Sequence, residues 1–359
     1  MRNTLEIALL VMILLTGRNL ALGQDFSYKG EATIMLSKVE DQEQTDWLLR
    51  YLPELKVAGE EGKHLIWDAN VAAYLYAYES QLQEKEQGGE VFRAWFRVYD
   101  DSTEYRLGLQ ELSFGPAVLL RTLQWFDTKD ALDPTSFTKG VKGALIRIST
   151  ENNSSYWIWS LYGNEDLYSA TRFASDTEKP EFGGRSQFSG DLAEWAITLH
   201  QRDVLLNKQE SVKENRLGLD LKLDLEYNGL WLESMLIKRD APYPYPSEAR
   251  QSTAGIDYTL DFSDGIVLTL ERNWGDAKTE ATEFAASQDN TAFMASIGQR
   301  LLDSFSLTLM QTKIPETSVA RFDWQRTYDD YIWDLSLFKS KQGTAPGQYG
   351  LGLIVQYNH

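Results

Sequence analysis

The chain has 359 residues, with 53 Asp and Glu against 35 Lys and Arg, a formal net charge of -18 and no cysteine. This acidic balance argues against an electrostatic nucleic-acid binder, and the lack of cysteine excludes disulfides, a thiol nucleophile and a cysteine zinc site. Aromatic residues make up 12% of the chain, which is too many for a disordered protein.

The first 23 residues are organised like a secretory signal peptide. Arg2 supplies a positive charge, residues 7–16 are apolar, and the small residues Ala21 and Gly23 precede Gln24. The apolar stretch is shorter than the ~20 residues of a spanning helix, so a membrane anchor is the less favoured alternative. We predict a signal peptide at 1–23, one mature domain at 24–359, and export.

An alternating aromatic face appears in residues 70–78. Tyr74, Tyr76 and Tyr78 share one side of an extended strand with Asn70 and Ala72. If this side faces the interior of the folded protein, its rings can stack on sugars, or they can pack against a loop that folds into that interior. The small residues on the other side leave the facing ambiguous.

The next three segments, 91–99, 104–110 and 141–149, alternate apolar and basic residues. If the apolar residues face outward, the remaining side chains lie together on one interior wall, namely Arg93, Arg97, Arg106, Gln110, Lys142 and Arg147. We call its basic members the cationic wall. A simpler alternative is that these residues pair with carboxylates of the wall and stiffen it.

The longest predicted loop, 114–140, separates the second and third of these segments and carries Asp127, Asp130 and Asp133. Carboxylates are the ligands that Ca²⁺ prefers, but the spacing does not match a known calcium loop. We therefore expect no metal there.

The clearest alternation lies in residues 216–226. Leu217, Leu219 and Leu221 fall on one face, and Asp220 and Lys222 fall on the other. The same period of two returns in 254–262, 305–309, 331–337 and 349–357. This period predicts a nearly all-β chain. Because unpaired ions are costly in a dry core, the charged face indicates water inside and lipid outside.

Strand length and connection length decide between β folds. The segments number about 18 (range 16–18) and mostly run about 10–14 residues, longer than soluble strands and long enough to cross a bilayer. The fourth is predicted to start near Glu90 and the fourteenth near Thr291. Tight links follow the even strands, and long loops follow the odd ones at 80–89, 114–140, 163–180, 202–214, 239–250 and 274–290.

These patterns predict a single closed antiparallel transmembrane β-barrel. Short turns lie on the periplasmic side, long loops on the extracellular side, and both termini are periplasmic. Aromatic residues near strand ends predict interfacial girdles, namely Tyr227, Trp231, Trp274, Trp333, Tyr349 and Tyr357.

The signal peptide, the long amphipathic strands, the sorted connections and the terminal segment GQYGLGLIVQYNH resemble a Gram-negative outer-membrane porin. The chain departs from many such barrels in ending on Asn358 and His359 instead of an aromatic residue. The resemblance implies passive diffusion of small hydrophilic solutes or ions across the outer membrane. It implies no cofactor and no catalysis, with the lipid bilayer as surroundings and a homotrimer as one option.

In porins the third extracellular loop folds into the barrel, so the resemblance implies a constriction here. Arg93, Arg97, Arg106 and Arg147 would then oppose the three aspartates of 114–140 and set up a transverse field. Two alternatives stay open. One is a substrate-specific transporter of organic acids or oligosaccharides that uses the cationic wall as a ligand track. The other is a closed barrel that acts as a surface adhesin or assembly partner.

Enzymatic chemistry finds little support in the sequence. His64, His200 and His359 are isolated from one another, and neither a metal-binding histidine spacing nor a G-x-S-x-G motif occurs. His200 is predicted to point into the lumen with a water-exposed imidazole.

Overall fold

The computed structural model describes residues 25–40, 45–61, 65–80, 83–127, 129–133, 135–165, 173–207, 210–262, 265–279, 282–299 and 302–359. The predicted signal peptide at 1–23 lies outside these residues. Within them, no helix has the length and apolar character that a membrane crossing requires.

Eighteen antiparallel strands form one sheet, and β1 pairs with both β2 and β18, so the sheet closes into a barrel. The predicted fold class and strand number are confirmed. The strands are β1 (Asp25–Val39), β2 (Asp46–Glu61), β3 (Leu65–Ser80), β4 (Gln83–Tyr99), β5 (Thr103–Gln110), β6 (Val141–Ser149), β7 (Ser155–Leu161), β8 (Glu181–Ser189), β9 (Ala193–Leu205), β10 (Ser211–Asp224), β11 (Asn228–Arg239), β12 (Glu248–Leu260), β13 (Ile266–Thr279), β14 (Thr282–Gln299), β15 (Asp303–Lys313), β16 (Glu316–Thr327), β17 (Tyr331–Gln342) and β18 (Gln348–Asn358).

The barrel has an apolar exterior because the strand registers keep apolar residues on one face. Leu217 of β10 pairs with Leu199 of β9 on one side and Leu236 of β11 on the other. Leu199 is 58% exposed and Leu219 is 45% exposed, as expected of side chains that face lipid. Asp220 lies on the opposite, inward face and is buried. The predicted division between an apolar outside and a charged inside is confirmed.

Connection lengths follow the predicted parity at most positions. Short turns such as 225–227 and 328–330 follow even strands, and the longest connections, 111–140 and 162–180, follow odd strands. We call residues 111–140 loop L3.

Three of the predicted loops are wrong, because most of residues 80–89, 202–214 and 274–290 is strand. The β3–β4 and β13–β14 hairpins continue past the apolar band, so β4 and β14 begin before Glu90 and Thr291. Backbone pairing outside the bilayer does not require an apolar face, so the hydrophobic alternation ends before the strand does.

The predicted aromatic girdle holds on the outer surface for Tyr227, Trp274, Trp333 and Tyr349, which are all at least 42% exposed. Trp231 was predicted wrongly. It lies on the inward face of β11, is 5% exposed, and donates its indole N–H to Glu271 at 2.9 Å.

The barrel interior is filled unevenly. A buried apolar cluster joins L3 to the walls of β6, β7 and β11, and it consists of Leu112, Phe114, Leu123, Trp125, Phe126, Val141, Leu145, Trp159, Leu161, Met235 and Ile237. The inward face of β15 instead carries the small residues Ser304, Ser306 and Thr308. L3 therefore packs against one half of the barrel more tightly than the other.

Candidate functional site

Two inward-facing glutamates hold the first part of L3. Glu271 of β13 accepts the backbone N–H groups of Val118, Leu119 and Leu120 at 2.7, 2.9 and 2.5 Å. Glu233 of β11 accepts those of Ala117 and Leu123, each at 2.9 Å. Both carboxylates are fully buried. Carboxylates that accept backbone N–H groups form charge-assisted hydrogen bonds, so L3 has a fixed anchor on this wall.

The middle of L3 packs on the opposite side of the same half-barrel. Phe126 lies edge-on to Trp159 of β7 and to His200 of β9, with ring centroids 5.9 and 5.0 Å apart. His200 faces inward as predicted, but its predicted exposure to water is wrong. It is 3% exposed and hydrogen bonded to Glu181 at 2.9 Å, because L3 covers it.

The tip of L3 reaches a third region of the wall. Arg321 of β16 donates to the carbonyl oxygen of Leu132 at 3.0 Å, and Arg50 of β2 donates to that of Thr135. L3 thus contacts inward residues of strands on several sides of the barrel.

A cavity of about 930 Å³ lies along L3. Its charged lining consists of Arg93 from β4 and of Glu111, Arg121, Asp127, Lys129 and Asp130 from L3, and Met310 contributes from β15. Arg93 pairs with Glu111 at 2.7 Å. Three of the predicted site residues, Arg93, Asp127 and Asp130, therefore line one cavity.

The rest of the cationic wall lies closer to the 100–102 turn, on the periplasmic side. Arg97 and Arg106 face each other across β4 and β5. Arg97 makes two hydrogen bonds to Asp68 at 2.8 and 2.6 Å, and Arg106 lies 2.6 Å from Glu104. Both guanidinium groups also lie over the Trp95 ring. The structure therefore pairs both arginines with wall carboxylates.

The other predicted wall residues have separate surroundings. Arg147 faces inward with its guanidinium 4.6 Å from the Trp157 ring, and Gln110 is buried with its amide donating to Gly143. Lys142 was placed wrongly. It pairs with the outward Leu109 and shares a face with Ala144, because residues 142 and 147 lie an odd number of positions apart on the strand.

The three aspartates of L3 serve mainly L3 itself. Asp127 pairs with Arg121 of the same loop. Asp130 accepts the N–H of Leu132, and Asp133 accepts that of Thr135, each at 2.8 Å. Among the described residues, no three His, Cys, Asp or Glu side chains form a candidate metal site.

Asp127 should make the conformation of L3 sensitive to acid. Burial raises the pKa of Asp127, but hydrogen bonds from the Thr138 hydroxyl and the Lys129 N–H, with the Arg121 guanidinium, outweigh it and hold the pKa below its ordinary value. The ionised carboxylate therefore stabilises L3 at neutral pH, and this stabilisation is lost as the pH falls through the lowered pKa. We expect the conductance in planar bilayers to stay constant around neutral pH and to change only in acid, below the pH at which an ordinary aspartate titrates.

The Asp127→Asn variant tests this expectation. At neutral pH it should already show the conductance that the wild-type protein shows only in acid. Asp100→Asn is the matched control, since Asp100 lies in the exposed 100–102 turn, outside L3, and accepts hydrogen bonds from the backbone N–H groups of Ser102 and Thr103. Equal conductance of wild type and Asp127→Asn at every pH would contradict the assignment.

Four residues that hold L3 were not predicted from the sequence, namely Glu233, Glu271, Arg50 and Arg321. One pattern pointed to Glu233, since it alternates with Trp231 and Met235 on an otherwise apolar inward face. A lone carboxylate on such a face indicates a buried partner. The partner is a set of backbone N–H groups, which leave no mark in the sequence of L3.

The tyrosine face of β3 points inward and meets L3. Tyr74 lies 4.9 Å from Tyr76, which lies 6.0 Å from Tyr78, and Tyr74 also lies 4.9 Å from Phe137 of L3. Of the two open alternatives, packing against an inserted loop is observed directly for Tyr74.

A closed barrel with an apolar outside and charged inside has the architecture of Gram-negative outer-membrane porins. This fold places the protein in the outer membrane. No family model matches the chain, and no curated protein matches its sequence.

Solved structures of outer-membrane porins do share the fold. Pseudomonas aeruginosa OccK3 (OpdO) aligns at TM-score 0.63 and 10% identity over 93% of this chain and 96% of its own. OccK5 (OpdH) of the same organism aligns at 0.63 and 10% over 94% and 98%. Acinetobacter baumannii OccAB4 aligns at 0.61 and 7% over 95% and 100%. The predicted resemblance is confirmed at the level of the fold.

Proposed function

We propose that the protein is an outer-membrane channel for passive diffusion of small hydrophilic solutes and ions, and that L3 narrows its lumen. The observation that carries this proposal is the cavity of about 930 Å³ along L3, which has a charged lining. A barrel of 18 strands is wide enough to hold water beside an inserted loop.

The anchoring of L3 supports a fixed constriction. Buried hydrogen bonds hold its start to Glu233 and Glu271, and guanidinium groups hold its tip. A loop fixed at both places keeps a constant passage, whereas a loose loop would open and close it at random.

The charges at this passage supply the filter. Arg93 lines the same cavity as Asp127 and Asp130, while Arg97, Arg106 and Arg147 lie further along the same wall toward the periplasm. Opposite charges on two sides of a narrow passage create a transverse field that orients dipolar solutes. Arg93, Arg97 and Arg106 are each paired with a carboxylate. We assign the filter to Arg93 because it is the wall arginine that lines the cavity along L3.

Neutralising Arg93 tests this assignment. We expect Arg93→Gln to shift the reversal potential in a KCl gradient toward higher cation selectivity, because a fixed positive charge is lost at the passage. Arg250→Gln is the matched control, since Arg250 lies on the outward face of β12. An unchanged reversal potential in Arg93→Gln would remove Arg93 from the filter.

Solute uptake tests the proposed function itself. Liposomes that contain the purified protein should swell in small sugars and amino acids, and uptake should fall steeply as the solute becomes larger. Uptake no greater than that of protein-free liposomes would favour the closed-barrel alternative.

A substrate-specific channel for organic acids is the second candidate. One observation favours it. Arg106 and Arg147 each have a buried Nε atom that lacks a hydrogen-bond partner in the described part of the chain. A carboxylate that passes along the wall would supply such a partner. Faster uptake of a dicarboxylate than of a neutral sugar of equal size would distinguish this candidate.

A further inference from the structure

The outer surface of the barrel carries a groove of about 510 Å³ across β14–β17. Two rows of paired residues line it. One row is Phe293, Leu309, Ala320 and Lys339, and the other is Thr291, Gln311, Ser318 and Lys341. Both rows lie on the outward face, because the next row of the same parity holds the exposed residues Leu307, Phe322 and Leu337. The groove therefore opens to lipid and not to the lumen.

Its height on the barrel follows from the strand directions. β17 runs upward to the 343–347 connection, which lies on the same rim as L3 because both connections follow odd strands. The Leu307, Phe322 and Leu337 row lies on the periplasmic side of the groove. The groove thus lies where the apolar band ends, on the extracellular side.

The two rows differ in chemistry. The row nearer the bilayer centre offers Phe293, Leu309 and the small Ala320, which form an apolar floor. The row nearer the rim offers Thr291, Gln311 and Ser318, which are uncharged hydrogen-bonding groups. An apolar floor below a polar row matches an acyl chain joined to a hydroxyl-rich headgroup.

Each row ends on a lysine, Lys339 or Lys341, and neither lysine has a salt bridge in the described part of the barrel. Lys339 lies 4.7 Å from the Tyr349 ring, and both lysines are exposed. Lys313 on the same surface is different, because it is paired with Asp289 at 2.9 Å. The described lining of the groove contains no carboxylate. Two uncompensated cations at the edge of the lipid form a site for an anionic headgroup.

We propose that this groove binds a phosphorylated, acylated glycolipid of the outer leaflet. The acyl chain packs on Phe293, Leu309 and Ala320. The sugar hydroxyls meet the row of Gln311 and Ser318, and the phosphate lies between Lys339 and Lys341. The site is on the lipid side of the wall, so the proposal is independent of whether solutes pass through the lumen.

Native mass spectrometry of the detergent-purified barrel with diphosphoryl lipid A tests the site. We expect the Lys339→Gln/Lys341→Gln variant to bind about thirtyfold more weakly than wild type, because each of the two lysines near a charged membrane surface contributes about 1 kcal/mol. Lys313→Gln is the matched control and should bind like wild type. The double Lys→Arg variant should retain binding, and heat-modified gel mobility confirms that each barrel is folded.

Three results would overturn the proposal. The first is wild-type affinity in the double glutamine variant. The second is equal affinity for lipid A and its dephosphorylated form. The third is equal affinity for phosphatidylglycerol, which would show that the groove recognises any phosphate lipid and not a glycolipid. Ala320→Trp supplies an independent check, since an indole in the groove should displace the acyl chain and weaken binding.

Discussion

The Glu233→Ala/Glu271→Ala variant should conduct severalfold more current per channel than wild type, with increased noise. The loss of the two carboxylates leaves the backbone N–H groups of L3 at 117–120 and 123 without acceptors. Each buried donor without a partner costs on the order of 1–3 kcal/mol. L3 would avoid this cost by leaving the wall and exposing its backbone to water. Single-channel recording in planar bilayers measures the result.

Glu54→Ala is the matched control for the anchor. Glu54 also faces the barrel interior, but it accepts a hydrogen bond from Asn70 of the neighbouring strand. Its conductance should stay near that of wild type. If the double anchor variant conducts like this control, L3 is held by its apolar cluster and the two glutamates have no anchoring role.

The Glu214→Gln variant should lose about 3–5 kcal/mol of stability, because it leaves buried cations without their counterion. Glu214 of β10 is fully buried and lies 2.7 Å from Arg202, 2.7 Å from Arg216 and 2.5 Å from Arg239. No other carboxylate in the described part of the chain lies within salt-bridge distance of the Arg202 and Arg216 guanidinium groups. Urea unfolding in lipid vesicles, followed by tryptophan fluorescence, measures the loss.

Glu248→Gln is the control for stability. Glu248 pairs with Arg250 and Lys278 on the barrel exterior, where a salt bridge contributes less than about 1 kcal/mol. Unfolding of Glu214→Gln at the same urea concentration as this control would contradict the role of Glu214 as the shared counterion.

The sequence predicts the barrel well because every strand meets the same physical requirement, which is one face toward lipid and the other toward water. Lipid on one side and water on the other impose the alternation seen in Leu217, Leu219 and Asp220, so strand number and facing follow directly. The same rule fails where this requirement ends. Outside the bilayer, residues 80–89 and 274–290 continue as hairpins without apolar alternation. Alternation alone places Lys142 outward with Ala144, so the prediction that it faces inward with Arg147 was an error in applying the rule.

The candidate site was predictable only in part. Alternation places Arg93, Arg97, Arg106 and Arg147 inward, but pairing depends on which strand lies beside which. Arg97 meets Asp68 because β3 and β4 align these positions. The burial of His200 likewise depends on the path of L3. Contacts between a loop and a distant wall have no periodic trace in the sequence, so they become visible only in the structure.

We infer that a water-filled passage remains beside L3. Planar-bilayer recording of the purified, refolded wild-type protein tests it most directly. We expect discrete, ohmic conductance steps that are smaller than those of the Glu233→Ala/Glu271→Ala variant. A wild-type protein that inserts into the bilayer but shows no steps, while the double variant conducts, would show that L3 closes the lumen.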